Sequence, residues 1–284
     1  MDDRSLFRFK PGYRSQNLDT AMDWSAWGGF SGAVEMCNNN GACRKRDANV
    51  MCPSYRATGQ EKHLTRGRAN TLRLALSGQL GEEAFTSKKM YESMQLCVSC
   101  KGCRRECPTG VDMAKMKIEF LHHYHSRHGV PVRERLVAEL PRYAPSLSRV
   151  PGLANLRNRS RLLKNLGHRV LGLSAERQLP HWAVHSFSNT ASEAGENRNG
   201  ELVLFADTFN RYFDPDVLRA AVKILTKAGY RVHLPGAQGG EARPLCCGRT
   251  YLASGMMQRA KEEAQRTLDA LQPYLEAGMP VVGL

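Results

Sequence analysis

The stretch that decides the fold runs from Cys97 to Pro108 and reads CVSCKGCRRECP. Its four cysteines follow the spacing C-x2-C-x2-C-x3-C-P, which is the ligand run of bacterial iron–sulfur proteins with two clusters. The first three thiolates lie close enough along one loop to bind three corners of a cubane. The fourth lies too far along the chain to close the same cluster, so it ligates another one. A zinc site usually takes its four sulfurs from two separated C-x2-C pairs, so the run favours iron over zinc.

A second and incomplete cysteine group precedes this run, at Cys37, Cys43 and Cys52-Pro53. Aligned by spacing, its members fall opposite the first, third and fourth cysteines of the later run, and Asn40 falls opposite the second. If the last cysteine of each group ligates the cluster of the other group, one cluster has four thiolates and the other has three. The set of four, which we expect to hold a [4Fe–4S] cluster, is Cys52, Cys97, Cys100 and Cys103. The set of three is Cys37, Cys43 and Cys107.

The missing thiolate at Asn40 leaves two compositions open for the second cluster. A corner without a thiolate loses its iron and gives [3Fe–4S], or keeps it with Asn40 or water as a substitute ligand and stays [4Fe–4S]. Removing a thiolate also removes negative charge, and the reduction potential responds to cluster type and net charge. We therefore expect the second centre to have the higher potential and to accept electrons later.

Length and composition indicate a soluble, two-domain protein of 284 residues. The chain has nine cysteines, no apolar run long enough to span a membrane and no apolar leader in MDDRSLFRFKPGYR. We expect it in the cytoplasm, with contact to the inner face of the membrane as an alternative, and its cysteines in metal or redox chemistry. The net charge of +14 fits nucleic acid, an anionic membrane surface, an acidic partner or a merely solvated basic face.

The patterning predicts an α+β protein with four segments. Residues 1–36 are an irregular lead-in, and 37–130 are a helical, ferredoxin-like dicluster domain with helices near 66–80, 83–95 and 111–128. Residues 131–200 are a basic helical connector, which includes an arginine-rich amphipathic segment, followed by a polar linker over 186–200. Residues 201–284 alternate strand, helix, strand, helix and strand, which predicts a parallel sheet. The sequence ends within the last strand, so we expect an incomplete α/β domain.

Several longer motifs resemble the iron–sulfur portion of FAD-linked D-2-hydroxyacid dehydrogenases, the group that includes D-lactate, D-2-hydroxyglutarate and glycolate oxidising enzymes. They read EMCNNNGACRK, MCPSYRAT, HLTRGRANTLRLALSGQLG, LCVSCKGCRRECPTGVDMAKMK, FADTFNRYF and LCCGRTY. The resemblance implies that the seven cysteines are cluster ligands and that electrons from a flavin pass through the clusters to a quinone or cytochrome. It also implies that FAD lies on a missing domain or a partner subunit, so the chain is not catalytically complete alone.

Cys246-Cys247-Gly248 is a weaker motif, of the kind that marks the cysteine-rich (CCG) domain in that family. Vicinal thiols beside Arg243 and Arg249 could have lowered pKa values and serve a redox or metal role. Related domains often have another cysteine where this chain has Asp207. A structural pair with no chemistry is the equal alternative.

Three functions compete on this evidence. The favoured one is an electron-transfer module of a flavin hydroxyacid dehydrogenase. The second is thiol–disulfide chemistry at Cys246 and Cys247, similar to heterodisulfide reductases. The third is a nucleic-acid-binding iron–sulfur protein, which the lack of an aromatic and basic stacking motif disfavours. Two minor features remain: HHYHSRH (122–128) is typical of a polar helix end, and Arg66 and Arg68 could offset the negative charge of the clusters.

Overall fold

The computed structural model of the chain describes residues 13–46, 51–188, 193–236 and 243–284. Residues 1–12 of the predicted lead-in and 189–192 of the predicted linker lie outside these ranges. The described residues divide into two compact units. The first comprises those up to Val130 together with Ala253–Gly255, and the second comprises Pro131–Leu252 and Met256–Leu284. The predicted α+β class is confirmed.

The first unit is helical. Its helices are α1 (Phe30–Glu35), α2 (Pro53–Thr58), α3 (Thr65–Leu76), α4 (Lys88–Gln95), α5 (Gly102–Glu106) and α6 (Met113–His128). The apolar faces of α3 and α6 form the centre of its core, where Leu72, Leu76, Met116 and Phe120 are at most 1% exposed. Helix α6 begins where the Asp112 carboxylate accepts the Lys115 N–H, and it ends at Gly129, whose φ is +77°. The two cysteine groups lie in the loops between these helices.

The structure of this unit differs from the sequence prediction at α1 and at α4. It did not predict α1, which lies inside the segment expected to be irregular. It predicted one helix over 83–95, whereas Ala84–Thr86 form a 3-10 turn and α4 begins only at Lys88. The reason is local, because the Ser87 hydroxyl caps the new helix by accepting the Met90 N–H at 3.3 Å.

A buried carboxylate fixes the lead-in to helix α6. Glu119 is fully buried and accepts the N–H groups of Ala21 at 2.9 Å and Met22 at 3.0 Å, and the Trp24 indole N–H at 3.0 Å. Burial opposes ionisation, but these hydrogen bonds and His123 outweigh it and lower the pKa of Glu119 to about 2. The ionised carboxylate therefore holds residues 21–24 against the core ahead of the first cysteine group.

The second unit packs short helices around a small sheet. Its helices are α7 (Val132–Ala138), α8 (Leu140–Leu147), α9 (Pro151–Ala154), α10 (Leu156–Arg159), α11 (Arg161–Leu171), α12 (Thr208–Tyr212), α13 (Pro215–Lys227), α14 (Arg249–Ala253) and α15 (Met257–Glu276). Its strands are β1 (Glu193–Ala194), β2 (Glu201–Phe205), β3 (Arg231–His233) and β4 (Val281–Gly283). As the sequence predicts, α13 begins with a proline in its first turn, at Pro215.

The sheet has the strand order β1-β3-β2-β4 within the described residues. Strand β2 pairs in parallel with β3 on one side and with β4 on the other, which agrees with the predicted parallel pattern. Strand β1 pairs antiparallel with β3 and was not predicted, because its two residues lie in a polar segment without alternation. Since the chain crosses from β3 over β2 to β4, the carboxyl end of β2 is a topological switch point, where open α/β sheets bind ligands.

Across the part of the chain that the structure describes, no helix is long and apolar enough to cross a membrane.

Candidate iron–sulfur centres and a vicinal cysteine pair

Four cysteines from the two sequence groups line a single cavity. Cys97 and Cys100 lie in the loop that leads into α5, Cys103 lies in the first turn of α5, and Cys52 stands directly before α2. Cys52 and Cys103 are each 7% exposed, whereas Cys100 faces solvent. The members of this group, which we call the first thiol group, are Cys52, Cys97, Cys100 and Cys103. They are the residues that the sequence analysis combined into a complete ligand set.

The backbone of the cysteine loops is unusual. Within the described residues, four non-glycine residues adopt a left-handed φ, and all four lie in these loops: Asn39, Cys52, Ser99 and Lys101. Such a conformation is costly for a residue with a side chain and persists where surrounding structure requires it, most often at functional sites. Alternating right- and left-handed residues turn successive N–H groups to one side and form a concavity that binds anions, as in many iron–sulfur sites.

Hydrogen bonds at the first thiol group are arranged for sulfur atoms that carry negative charge. The Cys52 sulfur lies 3.1 Å from the donating N–H nitrogen of Thr65 and 3.0 Å from its hydroxyl oxygen. Burial raises the pKa of Cys103 to about 11, and the N–H groups of Met113 and Ala114 oppose that rise. Burial also raises the pKa of Cys52, and the Thr65 donors oppose it. Burial therefore favours the neutral thiol at both positions, whereas a bound cation such as iron would favour the thiolate.

Arg68 lies in the wall of the same cavity. Only 2% of it is exposed, and its guanidinium donates to the Ser93 carbonyl at 2.9 Å, the His63 carbonyl at 2.8 Å and the Ser54 hydroxyl at 3.2 Å. None of these acceptors carries a charge. Burial lowers the pKa of Arg68, and the nearby Cys97, Cys52 and Cys103 sulfurs oppose that effect by attraction. A fixed positive charge thus faces the first thiol group.

The remaining three cysteines, which we call the second thiol group, are Cys37, Cys43 and Cys107. Cys37 and Cys43 are 6% and 7% exposed, and negative charge on Cys52 of the first thiol group and on Cys37 would both disfavour ionisation of Cys43. Burial raises the pKa of Cys43, against a hydrogen bond from the Arg66 N–H. At Cys107 burial is outweighed by hydrogen bonds from the Thr109 hydroxyl and the following N–H groups, which lower its pKa.

Asn40, at the position of the absent thiolate, is held within its own loop. Its side-chain oxygen accepts the Ala42 N–H at 2.8 Å, and its amide nitrogen donates to the Asn38 side chain at 2.5 Å. The adjacent Asn39 oxygen accepts from Asn70 on α3 at 2.7 Å. The asparagines therefore shape the turn between Cys37 and Cys43 through side-chain hydrogen bonds to the backbone and to one another.

The vicinal pair Cys246 and Cys247 lies beside the carboxyl end of β2. Cys246 is buried and Cys247 is exposed. The hydrogen bond between their sulfurs raises the pKa of Cys246 and lowers that of Cys247 to about 6. Thr208 contributes a further hydrogen bond to Cys246, and the charge of Asp207 opposes ionisation of Cys247. The pair thus combines a buried thiol with an accessible thiolate.

Helix α15 positions this pair. The Thr267 hydroxyl donates to the Cys246 carbonyl at 2.8 Å, and Arg266 donates to the Arg243 and Pro244 carbonyls at 2.6 and 2.8 Å. Gly248 has φ +76°, and a Cβ there would lie 2.8 Å from the Ala260 carbonyl oxygen, so the loop requires glycine. Asp207 caps α12 by accepting the Phe209 N–H at 2.8 Å. Its carboxylate is therefore used by the fold where related domains often have a cysteine.

The chain is similar to one known domain family and to several known enzymes. Residues 33–111 match the family of 4Fe-4S dicluster domains. The chain is 28% identical to the D-2-hydroxyglutarate dehydrogenase of Escherichia coli in an alignment that covers 90% of this chain and 29% of that protein. The Pseudomonas putida D-2-hydroxyglutarate dehydrogenase is 28% identical over 94% of this chain and 30% of its own length.

The chain covers a larger share of a shorter relative. The glycolate oxidase iron-sulfur subunit of Escherichia coli is 23% identical over 88% of this chain and 55% of that subunit. The chain thus spans about three tenths of the D-2-hydroxyglutarate dehydrogenases that it matches and about half of this subunit. No solved structure matches the chain. The predicted resemblance to the iron–sulfur portion of FAD-linked hydroxyacid dehydrogenases is confirmed.

The arrangement of the first thiol group is compatible with the corners of an iron–sulfur cluster. Among the described residues, no three side chains of His, Cys, Asp and Glu converge on one point as a single ion requires. The first thiol group instead surrounds a cavity, as the spread corners of a cubane need. Two histidines of HHYHSRH have other polar partners, since His128 bonds the Thr86 carbonyl at 2.8 Å and His125 bonds the Ser254 carbonyl at 2.9 Å.

The sequence did not indicate several residues that contact the candidate cluster cysteines. Thr65, which contacts the Cys52 sulfur, lies thirteen residues further along the chain, and nothing in a spacing pattern connects the two. Lys117 donates to the Cys97 carbonyl at 2.6 Å. Thr109 could have been found, because it directly follows Cys107-Pro108 and a hydroxyl so close in sequence is a ready donor to that sulfur.

Proposed function

We propose that this chain is the iron–sulfur electron-transfer part of a FAD-linked D-2-hydroxyacid dehydrogenase. The observation that carries the proposal is the cavity in which Cys52 faces Cys97, Cys100 and Cys103. Exchange of distal cysteines between two groups requires this pairing. The D-2-hydroxyglutarate dehydrogenases and the glycolate oxidase subunit to which the chain is similar support the reaction class.

In this proposal the first thiol group holds a [4Fe–4S] cluster and the second holds a cluster with one thiolate fewer. A bound cluster supplies one-electron transfer. The chain's own residues bind the iron, offset its negative charge with Arg68 and with N–H donors, and keep water away with buried methionines. Met51, Met113 and Met116 are 5%, 1% and 1% exposed and serve this last purpose.

The proposal assigns the remaining parts of the reaction to other protein. FAD and the 2-hydroxyacid bind a flavin dehydrogenase domain or subunit, and a quinone or a cytochrome receives the electrons. One relative is by name an iron–sulfur subunit, which supports the separation of flavin and cluster functions. The substrate is a D-2-hydroxyacid of the D-2-hydroxyglutarate or glycolate class, by analogy with those relatives.

Anaerobic preparation of the chain tests the proposal directly. We expect about seven or eight irons per chain, four from the first thiol group and three or four from the second. Iron and acid-labile sulfide are measured together with the visible absorbance, and a chemical reductant should bleach that absorbance. Protein that is colourless after reconstitution, or that holds zinc instead of iron, would contradict the proposal.

The vicinal pair supports a second candidate, thiol–disulfide chemistry at Cys246 and Cys247. The observation in its favour is an exposed Cys247 hydrogen-bonded to a buried Cys246, with the pKa of Cys247 lowered to about 6. A reactive dithiol needs an accessible thiolate beside a resolving thiol. In the exchange the Cys247 thiolate would attack a substrate disulfide and release one substrate thiol, and Cys246 would then displace the second by forming the Cys246–Cys247 disulfide.

Alkylation distinguishes this candidate from a structural pair. We expect iodoacetamide to label Cys247 at pH 7 faster than an unperturbed thiol, because most of Cys247 is then ionised. Labelling is followed by mass spectrometry, with Cys247→Ser as the control. If Cys247 reacts only above pH 8, like an ordinary cysteine, the thiol candidate is wrong while the iron–sulfur proposal stands.

A further inference from the structure

The segment from 140 to 175 in the second unit is uniformly basic. It contains seven arginines and lysines and no aspartate or glutamate, so its net charge of +7 is half of the chain's +14. Because no acidic residue lies in the segment, its charges are not neutralised locally. A basic surface of this kind attracts polyanions over a distance of about a Debye length.

An apolar stripe lies within this basic segment. Helix α11 has no buried residue, and Leu162, Leu166 and Val170 are 82%, 57% and 70% exposed. They are spaced four residues apart and therefore share one face of the helix. Leu153, on the short helix α9, is also exposed, to 69%. Scattered exposed leucines are ordinary, but a row on one helix face marks an interaction surface.

We propose that α11 and its flanking arginines bind the surface of an anionic phospholipid bilayer. The exposed leucines and valine enter the boundary between headgroups and acyl chains. Arg161, Lys164 and Arg169 on the same helix contact the lipid phosphates. This combination of an apolar stripe and adjacent cations is what an interfacial helix requires. The inference goes beyond the proposed electron transfer and does not depend on which cluster is bound where.

Two observations favour lipid over nucleic acid. Residues 144–181 contain no Phe, Tyr or Trp, so the segment offers no platform on which a base could stack. An apolar cleft of the same unit also includes Ala154 from α9 and Leu173, just beyond α11, in its lining. Its walls are completed by aromatic side chains such as Trp182 and Phe213. An acyl chain is a partner that matches both the exposed apolar stripe and an apolar cleft in the same unit.

Vesicle sedimentation with the cluster-loaded full chain tests the inference. We expect binding to vesicles that contain phosphatidylglycerol, little binding to phosphatidylcholine alone, and weaker binding as salt rises. Replacing both Leu162 and Leu166 by serine should weaken binding about tenfold, because it removes most of the buried apolar area. Arg161→Gln together with Lys164→Gln should weaken it while leaving the stripe intact.

A matched control comes from another helix of the same unit. Ile224 on α13 is 66% exposed, so Ile224→Ser removes a similar apolar side chain outside the basic segment and should leave vesicle binding unchanged. Circular dichroism and the cluster absorbance verify that each variant is folded. Absence of binding to anionic vesicles at low salt would overturn the inference. Equal loss in the α11 and Ile224 variants, or tight DNA binding without vesicle binding, would also overturn it.

Discussion

The two thiol groups differ in the charge that the protein places beside each of them. At the first, Arg68 is buried and held by neutral acceptors, so its full positive charge faces the cavity. At the second, Arg66 pairs with Glu61 at 2.7 Å, and its side chain is 22% exposed. An arginine that is paired and partly hydrated exerts a much weaker field than one that is neither. The protein thus compensates the four-thiolate group more strongly than the three-thiolate group.

This difference follows the number of negative charges that each group carries. Four thiolates around a cluster need more compensation than three, and low dielectric makes any uncompensated charge costly. The sequence predicts a higher reduction potential for the second cluster than for the first. Arg68 acts against this order, because its positive charge would raise the potential of the first cluster. A missing thiolate acts directly on the iron, whereas Arg68 acts across the cavity. We therefore still expect the second centre to have the higher potential.

The largest effect is expected from removing Cys52, the ligand that the first thiol group takes from the earlier cysteine group. In Cys52→Ala the first thiol group loses a thiolate at a buried corner, where neither water nor an asparagine can replace it as at Asn40, so we expect that cluster and about half of the iron to be lost. Iron and sulfide content measure the result. Cys247→Ser, which removes an exposed thiol outside both groups, should keep the full content. If Cys52→Ala and Cys247→Ser retain equal iron, Cys52 is not a ligand and the exchange of distal cysteines is wrong.

The next largest effect is expected from Asn40→Cys, which supplies the absent thiolate. If the second cluster is [3Fe–4S], the variant should gain one iron and lose the EPR signal that such a cluster shows when oxidised. The potential of that centre should then fall, because a negative charge has been added. Asn38→Cys is the control, since it adds a thiol in the same loop at the wrong spacing. An unchanged spectrum in Asn40→Cys would indicate that the cluster already has four irons.

The candidate ligand sets were predicted from the sequence because cluster ligation depends on cysteine spacing, which can be read along the chain. Cys52 could be combined with Cys97, Cys100 and Cys103 without any structure. The electrostatic difference between the groups was not readable. Arg66 and Arg68 stand two residues apart in TRGRA, and only the turn of α3 sends one to Glu61 and the other into the core. Strand β1 was missed for a similar reason, because two residues carry no period.

A smaller effect is expected from Arg68. In Arg68→Met the cavity loses its positive charge, so we expect the potential of the first cluster to fall by about 60 mV, equivalent to a tenfold change in the ratio of reduced to oxidised cluster. Redox titration followed by EPR measures the shift. Three acceptors lose their donor, which costs about 1–3 kcal/mol for each buried group left unpaired. Thermal unfolding should therefore be followed in parallel.

Two companion variants separate charge from packing. Arg68→Lys keeps the charge and should restore most of the potential even if stability is still reduced. Arg66→Met removes an arginine already paired with Glu61 and should shift the second centre much less. Equal shifts for Arg66→Met and Arg68→Met would contradict the difference in charge compensation between the two thiol groups.

The smallest effect is expected from Thr65→Val, which tests a single hydrogen bond to sulfur. Valine has nearly the same shape but lacks the hydroxyl that lies 3.0 Å from the Cys52 sulfur, while the Thr65 N–H bond remains. Hydrogen bonds to cluster sulfurs raise the potential, so we expect a fall of roughly 30 mV or less for the first cluster only. Thr71→Val on the same helix removes a hydroxyl that bonds the Gly67 carbonyl, and it should leave both potentials unchanged. A shift of the second centre in Thr65→Val would mean that Cys52 serves that cluster instead, which would reverse the assignment of the two groups.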